Sequence, residues 1–324
     1  MLKLGYTLAS EEHRPNDLVR FARQAEDCGF DFGFISDHFH PWIDNQGQSP
    51  FVWSVLGALA HSTAKLNLIT GVTCPTFRIH PVIIAQAAAT VAAMMPGRFA
   101  LGLGSGENLN EHITGARWPS SEERMERLEE AIAIIRMMWQ GGVQSHRGKY
   151  YQVDTARIYT LPDQLPPLMI AASGKRAAGL AGRTGDGLVS TSPDADLIKE
   201  FQSEGGKRKP CYGQLTMCWA EDEHSARRTA LQQWPNSALP GVIFTELPLP
   251  AHFEQLTKLL DESEVAESVI CGPALEPYLD KLRKYAEAGF DHVTLHQVGP
   301  NQEGFFQWCS KELFPRLRSE RLIE

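Results

Sequence analysis

Short runs of β-branched, aromatic and aliphatic residues alternate along the chain with stretches of helical period. The runs are Lys3 to Thr7, Phe30 to Ser36, Leu66 to Val72, Phe99 to Gly104, Leu168 to Ala172, Gly187 to Thr191, Gly213 to Trp219 and His292 to Gln297. Strands alternating with helices in this way read as eight βα units. Between the first two runs, Pro15 suits the opening turn of a helix, and Leu18, Phe21, Ala25 and Cys28 recur at 3/4 spacing before Gly29 ends it. A second helix begins at Ser120, where Glu123 completes a capping-box pattern, and carries Met125, Leu128, Ile132, Ile135 and Trp139 on one face.

The stretch Ala25-Glu26-Asp27-Cys28-Gly29-Phe30-Asp31 is echoed as Ala286-Glu287-Ala288-Gly289-Phe290-Asp291, so the same helix-to-strand junction occurs near both ends. Eight units favour a closed (β/α)₈ TIM barrel, read as a single domain over residues 1–324. Such a barrel needs ~250 residues, which places insertions at residues 140–166 and 235–272. The second contains Pro235, Pro240, Pro248 and Pro250, and it reads as a loop roofing one end of the barrel.

Composition narrows the class. Lys and Arg total 31 against 39 Asp and Glu, a net charge of −8, and the one basic run is Lys207-Arg208-Lys209, which disfavours nucleic acid as a partner. The longest apolar stretch, Val82 to Met95, carries Gln86 and Thr90 and is too short for a membrane span. The N-terminus lacks a signal-peptide pattern, so a cytoplasmic protein is expected. Six cysteines without a Cys-x-x-Cys pair fit reduced thiols. The segment Pro81 to Met95 is apolar nearly all round, and its second face predicts a homodimer.

In a barrel of this kind the chemistry sits at the C-terminal ends of the strands. Four ends stand out: Ser36 to Trp42, Thr70 to Thr76, Gly102 to Glu111, and Ala171 to Arg176. His38, preceded by Asp37, suits a general acid or base; it also fits a structural cap, or a metal pair with His40. Only His296 stands at a later strand end to extend such a pair, so no metal is assigned. The glycine run at Gly102 and Gly104 has Glu107 where a dinucleotide fingerprint needs a third glycine. Glu107 then reads either as a carboxylate in the mouth or as an acid favoured at a helix start. Ser173-Gly174-Lys175-Arg176 opens a helix and suits an anion on free N–H groups. Trp42 and Trp53 are pocket walls or core.

At these residues the chain resembles the bacterial luciferase-like superfamily, and within it F420-dependent glucose-6-phosphate dehydrogenase and its relatives. The resemblance rests on Ser36-Asp37-His38-Phe39-x-Pro41-Trp42, Pro75-Thr76-Phe77-Arg78, Ile84-Ala85-Gln86-Ala87-x-Ala89-Thr90, Leu101-Gly102-x-Gly104-x-Gly106-Glu107-x-Leu109-Asn110-Glu111 and Ala181-Gly182-Arg183-x-Gly185-Asp186-Gly187. It implies a barrel that binds the deazaflavin F420 in its mouth. Asp37, Gly71, Val72, Cys74, Asn110, Ser173, Gly174, Arg176 and Ala177 would line the cofactor, with a cis peptide at Gly71-Val72. His38, Trp42 and Glu107 would carry hydride exchange between an alcohol or carbonyl and the ring. The alternative within the superfamily is an FMN-dependent monooxygenase, for which those three residues are superfluous; a non-catalytic carrier would not need them either.

The sugar-phosphate enzymes of this branch hold phosphate with two lysines and an arginine. The matching stretches here read Thr191-Ser192-Pro193-Asp194 and Ala266-Glu267-Ser268-Val269, and Pro240 to Phe244 offers no lysine. The expected substrate is therefore an uncharged or cationic alcohol or carbonyl compound.

Overall fold

The computed structural model describes residues 1–324. Eight parallel strands form the barrel: β1 (Lys3–Leu8), β2 (Phe32–Ile35), β3 (Asn67–Thr70), β4 (Phe99–Leu103), β5 (Leu168–Ala171), β6 (Gly187–Ser190), β7 (Cys211–Cys218) and β8 (His292–Gln297). Neighbours pair in chain order from β1 to β8, the β6–β7 pairing joins Ser190 to Gly213, and β8 returns to β1 with Leu4 beside Val293, so the sheet closes. All eight expected strands are present.

The repeated junction explains part of this closure. Gly29 and Gly289 end their helices in the left-handed region, at φ 96° and 99°, which a residue with a Cβ adopts only at a cost. Each following aspartate clasps the neighbouring strand: Leu4 N–H donates to Asp31 Oδ2 and Cys211 N–H to Asp291 Oδ1, both at 2.8 Å. The same Gly-Phe-Asp device thus fixes β2 against β1 and β8 against β7.

Inside the barrel, Phe32, Phe34, Ile69, Ala100, Met169 and Val189 form a closed apolar plug, so the interior is filled and any site must lie above it. The larger core lies between strands and outer helices. The helix Pro15–Cys28 starts at its proline and buries Leu18, Phe21, Ala22 and Ala25, while Cys28 is half-buried. The helix Ser121–Met138 is capped by Ser120 Oγ, which accepts from Glu123 N–H at 3.3 Å, and it buries Leu128, Ile132 and Ile135 as its period requires.

Neither of the two segments expected as insertions is plain loop. Residues 140–166 hold a hairpin, Gln144–Arg147 with Gln152–Ala156, whose Tyr151 hydroxyl donates to Pro75 O at 2.7 Å and so braces the loop after β3. Residues 235–272 are a correction: the prolines mark helix starts. A 3₁₀ turn, Pro235–Ala238, is followed by helices Gly241–Glu246, Pro250–Thr257 and Glu262–Ser268, with Pro240 as an N-cap and Pro250 in a first turn. The insertion ends in Ile270–Cys271, which pairs alongside the end of β7.

The helix Pro81–Met94 packs between the helices Val52–Ser62 and Ser121–Met138, and Trp139 Nε1–H donates to Ala85 O at 2.9 Å. Much of its apolar surface is thus covered by its own chain, but Ile83 and Met94 remain 53% and 49% exposed. No helix is long and apolar enough to cross a membrane. The six cysteines are free thiols.

Candidate active site

The loops after β1, β2, β3 and β4 meet on one side of the rim. Asp37, just past β2, is buried, and it is not left alone there. Arg78 Nη2 donates to its Oδ1 at 2.8 Å and Thr73 Oγ1 to its Oδ2 at 2.8 Å. Glu111, fully buried, accepts the backbone N–H groups of Phe77 and Arg78 at 2.8 Å each and lies 3.6 Å from Arg78 Nε. Burial pushes the Glu111 carboxyl above its ordinary value, against those two N–H groups. For Arg78, burial opposes the charge and Asp37 outweighs it, so the guanidinium is held more firmly than usual. These ion pairs tie the ends of β2, β3 and β4 together.

His38 stands in front of this frame. Its Nδ1 is 3.1 Å from His40 O, and a carbonyl only accepts, so Nδ1 carries the hydrogen and Nε2 is the basic nitrogen. Two carboxylates face that atom: Glu11 Oε1 at 3.4 Å and Glu107 Oε2 at 3.8 Å. A proton arriving at Nε2 is therefore attracted from both sides. The Glu11 side chain is nearly sealed and receives Ser36 Oγ–H at 2.6 Å, whereas that of Glu107 is 32% exposed and opens to the mouth. Glu107 precedes the short helix Asn108–Glu111 but does not cap it; Asn110 Nδ2 donates to its Oε2 at 2.9 Å instead. Asn110 Oδ1 accepts from Phe39 N–H and His40 N–H at 2.8 and 3.2 Å, which locks the histidine loop to the glutamate loop. Trp42 meets the His38 ring edge-on at 5.0 Å between centroids. His40 turns away to Leu109 O and stacks on His112, so the two histidines do not form a pair.

Below the His38 group lies a floor that needs small residues. The Gly71-Val72 peptide is cis, as the resemblance implies. Gly106 has φ 85°, and a Cβ there would lie 2.3 Å from Cys74 Sγ; at Gly104 it would lie 2.6 Å from Val72 Cγ2. The backbone therefore packs directly on the Val72 and Cys74 side chains, and only glycine fits at either position. Cys74 itself is buried, donates to Thr76 Oγ1 at 3.0 Å, and has its thiol pushed up by that burial. On the next strand end, Gly174 starts the helix Lys175–Thr184 with no side-chain cap, and a Cβ on it would meet nothing within 4 Å. The first N–H groups there are free for an anion. Arg176 is exposed and 3.6 Å from Glu122. Ser173, Gly174, Arg176 and Ala177 share the rim, but no hydrogen bond or ion pair joins them to the His38 group.

Over Trp42 lies the helical insertion. Phe244 meets the Trp42 ring edge-on at 4.9 Å and Phe253 at 5.3 Å, and Trp42, Leu109, Trp234 and Phe253 share one small apolar cluster. Gln46 Nε2 donates to Asn236 Oδ1 at 3.2 Å and Asn108 Nδ2 to Glu246 O at 2.9 Å, which pins this roof to the two loops beneath. Asp194 caps the helix Ala195–Phe201 through Oδ1, and Trp53 packs on Phe99 away from the site.

Sequence reasoning missed Glu11, Arg78, Thr73 and Phe244 as site residues. Glu11 follows β1, so the rule applied to four other strand ends would have reached it. The remaining three take their roles from contacts between distant segments.

Residues 3–292 match the family described as "Luciferase-like monooxygenase". The chain belongs to that family. Within it, the chain is 37% identical to an F420-dependent glucose-6-phosphate dehydrogenase of Microbacterium testaceum (strain StLB037), covering 98% of both chains. It is 35% identical to the enzyme of the same name from Beutenbergia cavernae, again over 98% of each. Among solved structures it is similar to an F420-dependent secondary alcohol dehydrogenase in complex with an F420-acetone adduct, at 28% identity and a TM-score of 0.90, over 98% of this chain and 99% of that one.

Proposed function

We propose that this protein is an F420-dependent oxidoreductase that exchanges a hydride between the deazaflavin and an uncharged alcohol or carbonyl substrate. The observation that carries the reading is His38 Nε2 held between the carboxylates of Glu11 and Glu107, with Trp42 against the same ring. Support for the cofactor comes from relatives 37% and 35% identical whose names state F420 dependence, and from residues that suit it. Gly71, Gly104 and Gly106 leave bare backbone at the ends of the third and fourth strands for a flat ring to approach, and the open helix start at Gly174 with exposed Arg176 suits the phosphate-bearing tail. Gly71, Val72, Cys74 and Asn110 would border the ring end and Ser173, Gly174, Arg176 and Ala177 the tail, whereas Asp37, expected among the ring contacts, has its carboxylate sealed against Arg78 and Thr73 and serves to anchor the loop. Bound there, F420 supplies a carbon that accepts or returns a hydride.

The protein's own part is proton handling and exclusion of water. His38 takes the hydroxyl proton of the alcohol at Nε2, and Glu11 stabilises the resulting imidazolium. Glu107, part-open to the mouth and hydrogen-bonded by Asn110, is the second carboxylate facing Nε2 and relays the proton between His38 and the reacting pair. Trp42 and the roof keep water off.

Relatives named for glucose 6-phosphate stand against the finer claim about substrate, and the charge around this mouth stands for it. The roof, residues 235–272, contains Glu246, Glu254, Asp261, Glu262, Glu264 and Glu267 against Lys258 alone. Asp194 spends its carboxylate on a helix cap, and Lys199 pairs with Asp196 at 2.8 Å. Glu246 is paired with Arg124, and Asp261 and Glu264 close a capping box, so the roof opposes a dianionic phosphate through its general negative charge. The exposed Ile83 and Met94 support assembly as a homodimer through the helix Pro81–Met94.

A titration of the purified protein with F420 and with FMN, followed by turnover on neutral alcohols and on glucose 6-phosphate, tests the reading. Tight F420 binding with reduction by neutral alcohols is expected. Binding of FMN alone with oxygen consumption would replace the reading with the monooxygenase one, and saturable reduction by glucose 6-phosphate would remove the substrate claim.

A further inference from the structure

The roof reaches the catalytic group through one aromatic chain: His38 against Trp42, and Trp42 against Phe244 and Phe253. The members of that chain differ in freedom. Phe253 is fully buried and Trp42 is 8% exposed, so both are walls that no substrate displaces. Phe244 is half-buried on the helix Gly241–Glu246, which buries none of its residues fully, and it lies 6.1 Å from Phe253. Of the two roof rings on Trp42, it is the one that is not sealed in the core.

We infer that Phe244 is the specificity-determining residue of the site: its ring limits the size of the substituent carried by the reacting carbon and selects small, uncharged, apolar alcohols or ketones. This rests on the function proposed above. Two further observations carry it. The neighbouring polar side chain, Thr245, has its one hydroxyl hydrogen shared between Val242 O and Glu246 Oε1, both at 3.1 Å, so it is turned back on its own helix and offers a substrate no free donor beside Phe244. The helix is also fixed to the catalytic loop. Glu246 O accepts from Asn108 Nδ2, next to Glu107, and the Glu246 carboxylate pairs with the nearly buried Arg124 at 3.1 Å. Phe244 is thus held at a set height over Trp42, and a wall so fixed discriminates by volume.

The test compares F244A and F244L with the unaltered enzyme, loaded with F420, on propan-2-ol and 1-phenylethanol. A wall predicts that the ratio of kcat/KM for the bulky alcohol to that for the small one rises ~10-fold or more in F244A and less in F244L, mainly through KM. Affinity for F420, read from its fluorescence, stays within twofold. The same ratio in all three proteins overturns the inference, as does an equal loss on both alcohols. If no alcohol is turned over at all, the proposed function fails separately. Phe244 is then judged by equilibrium binding of acetone and acetophenone to the F420 complex, where an unchanged ratio of affinities overturns its role.

Discussion

Replacing Glu11 with Gln is the sharpest perturbation of the proton site. The amide keeps the shape, and its oxygen can still accept Ser36 Oγ–H, so packing survives while the charge goes. Glu11 Oε1 is 3.4 Å from His38 Nε2. At an effective dielectric of about 20, a full charge pair at that distance is worth about 5 kcal/mol. Two features reduce that figure. The Ser36 hydroxyl already takes up part of the carboxylate's charge, and Glu107 at 3.8 Å continues to stabilise the imidazolium. A net loss of about 1.5–3 kcal/mol in the transition state remains, which is a fall in kcat of ~10–100-fold. The assay is single-turnover loss of the oxidised deazaflavin's absorbance after mixing the F420-loaded protein with excess alcohol, so that product release does not mask the step. F420 affinity should be unchanged, because Glu11 faces the histidine. A variant within twofold of the unaltered rate would refute the argument that Nε2 gains its positive charge beside Glu11.

Four other outcomes follow from the same structure. H38A and E107Q should each lose ~10²-fold or more in turnover while binding F420 normally, and full activity in either removes its role. R78M should cost ~3–5 kcal/mol of stability by stranding Asp37 and Glu111 in the interior, visible as a lowered thermal midpoint; an unchanged midpoint would mean the pairs are not holding the rim. Glu26 receives the N–H groups of Ala64, Lys65 and Leu66, which outweigh its burial and hold its carboxyl below the ordinary value. E26Q should therefore cost about 1 kcal/mol at neutral pH in urea unfolding, and that deficit should vanish as the pH falls through the carboxyl's native titration. Burial pushes the Cys211 and Cys271 thiols up to about 12 and about 11, so at pH 8 both should resist Ellman's reagent until the protein is unfolded.

The barrel is legible in the chain because the strands carry local signals: an apolar run, and before β2 and β8 a helix ended by glycine. Gly29 and Gly289 mark the helix ends, and the aspartates after them clasp the neighbouring strands β1 and β7. His38, Trp42, Glu107 and Asn110 were legible for a related reason, since a strand end fixes which way the following side chains face. The roof was misread because prolines that open short helices carry the same local signature as prolines in a loop. Pro250 differs from a loop proline only in the residues that pack behind it, such as Phe253. Arg78 and Phe244 were out of reach for a different cause. The charge of Arg78 has meaning only beside Asp37, 41 residues earlier, and the ring of Phe244 only over Trp42.

The central claim is that a hydride passes between substrate carbon and F420 at His38. The protein loaded with F420 should be incubated, without oxygen, with propan-2-ol deuterated at carbon 2, and the cofactor then examined by NMR and mass spectrometry. One deuterium is expected on the reactive ring carbon of the reduced deazaflavin, with acetone formed in equal amount. Acetone formed with no deuterium in the ring, or a ring left oxidised by every neutral alcohol while FMN supports oxygen uptake, would contradict it.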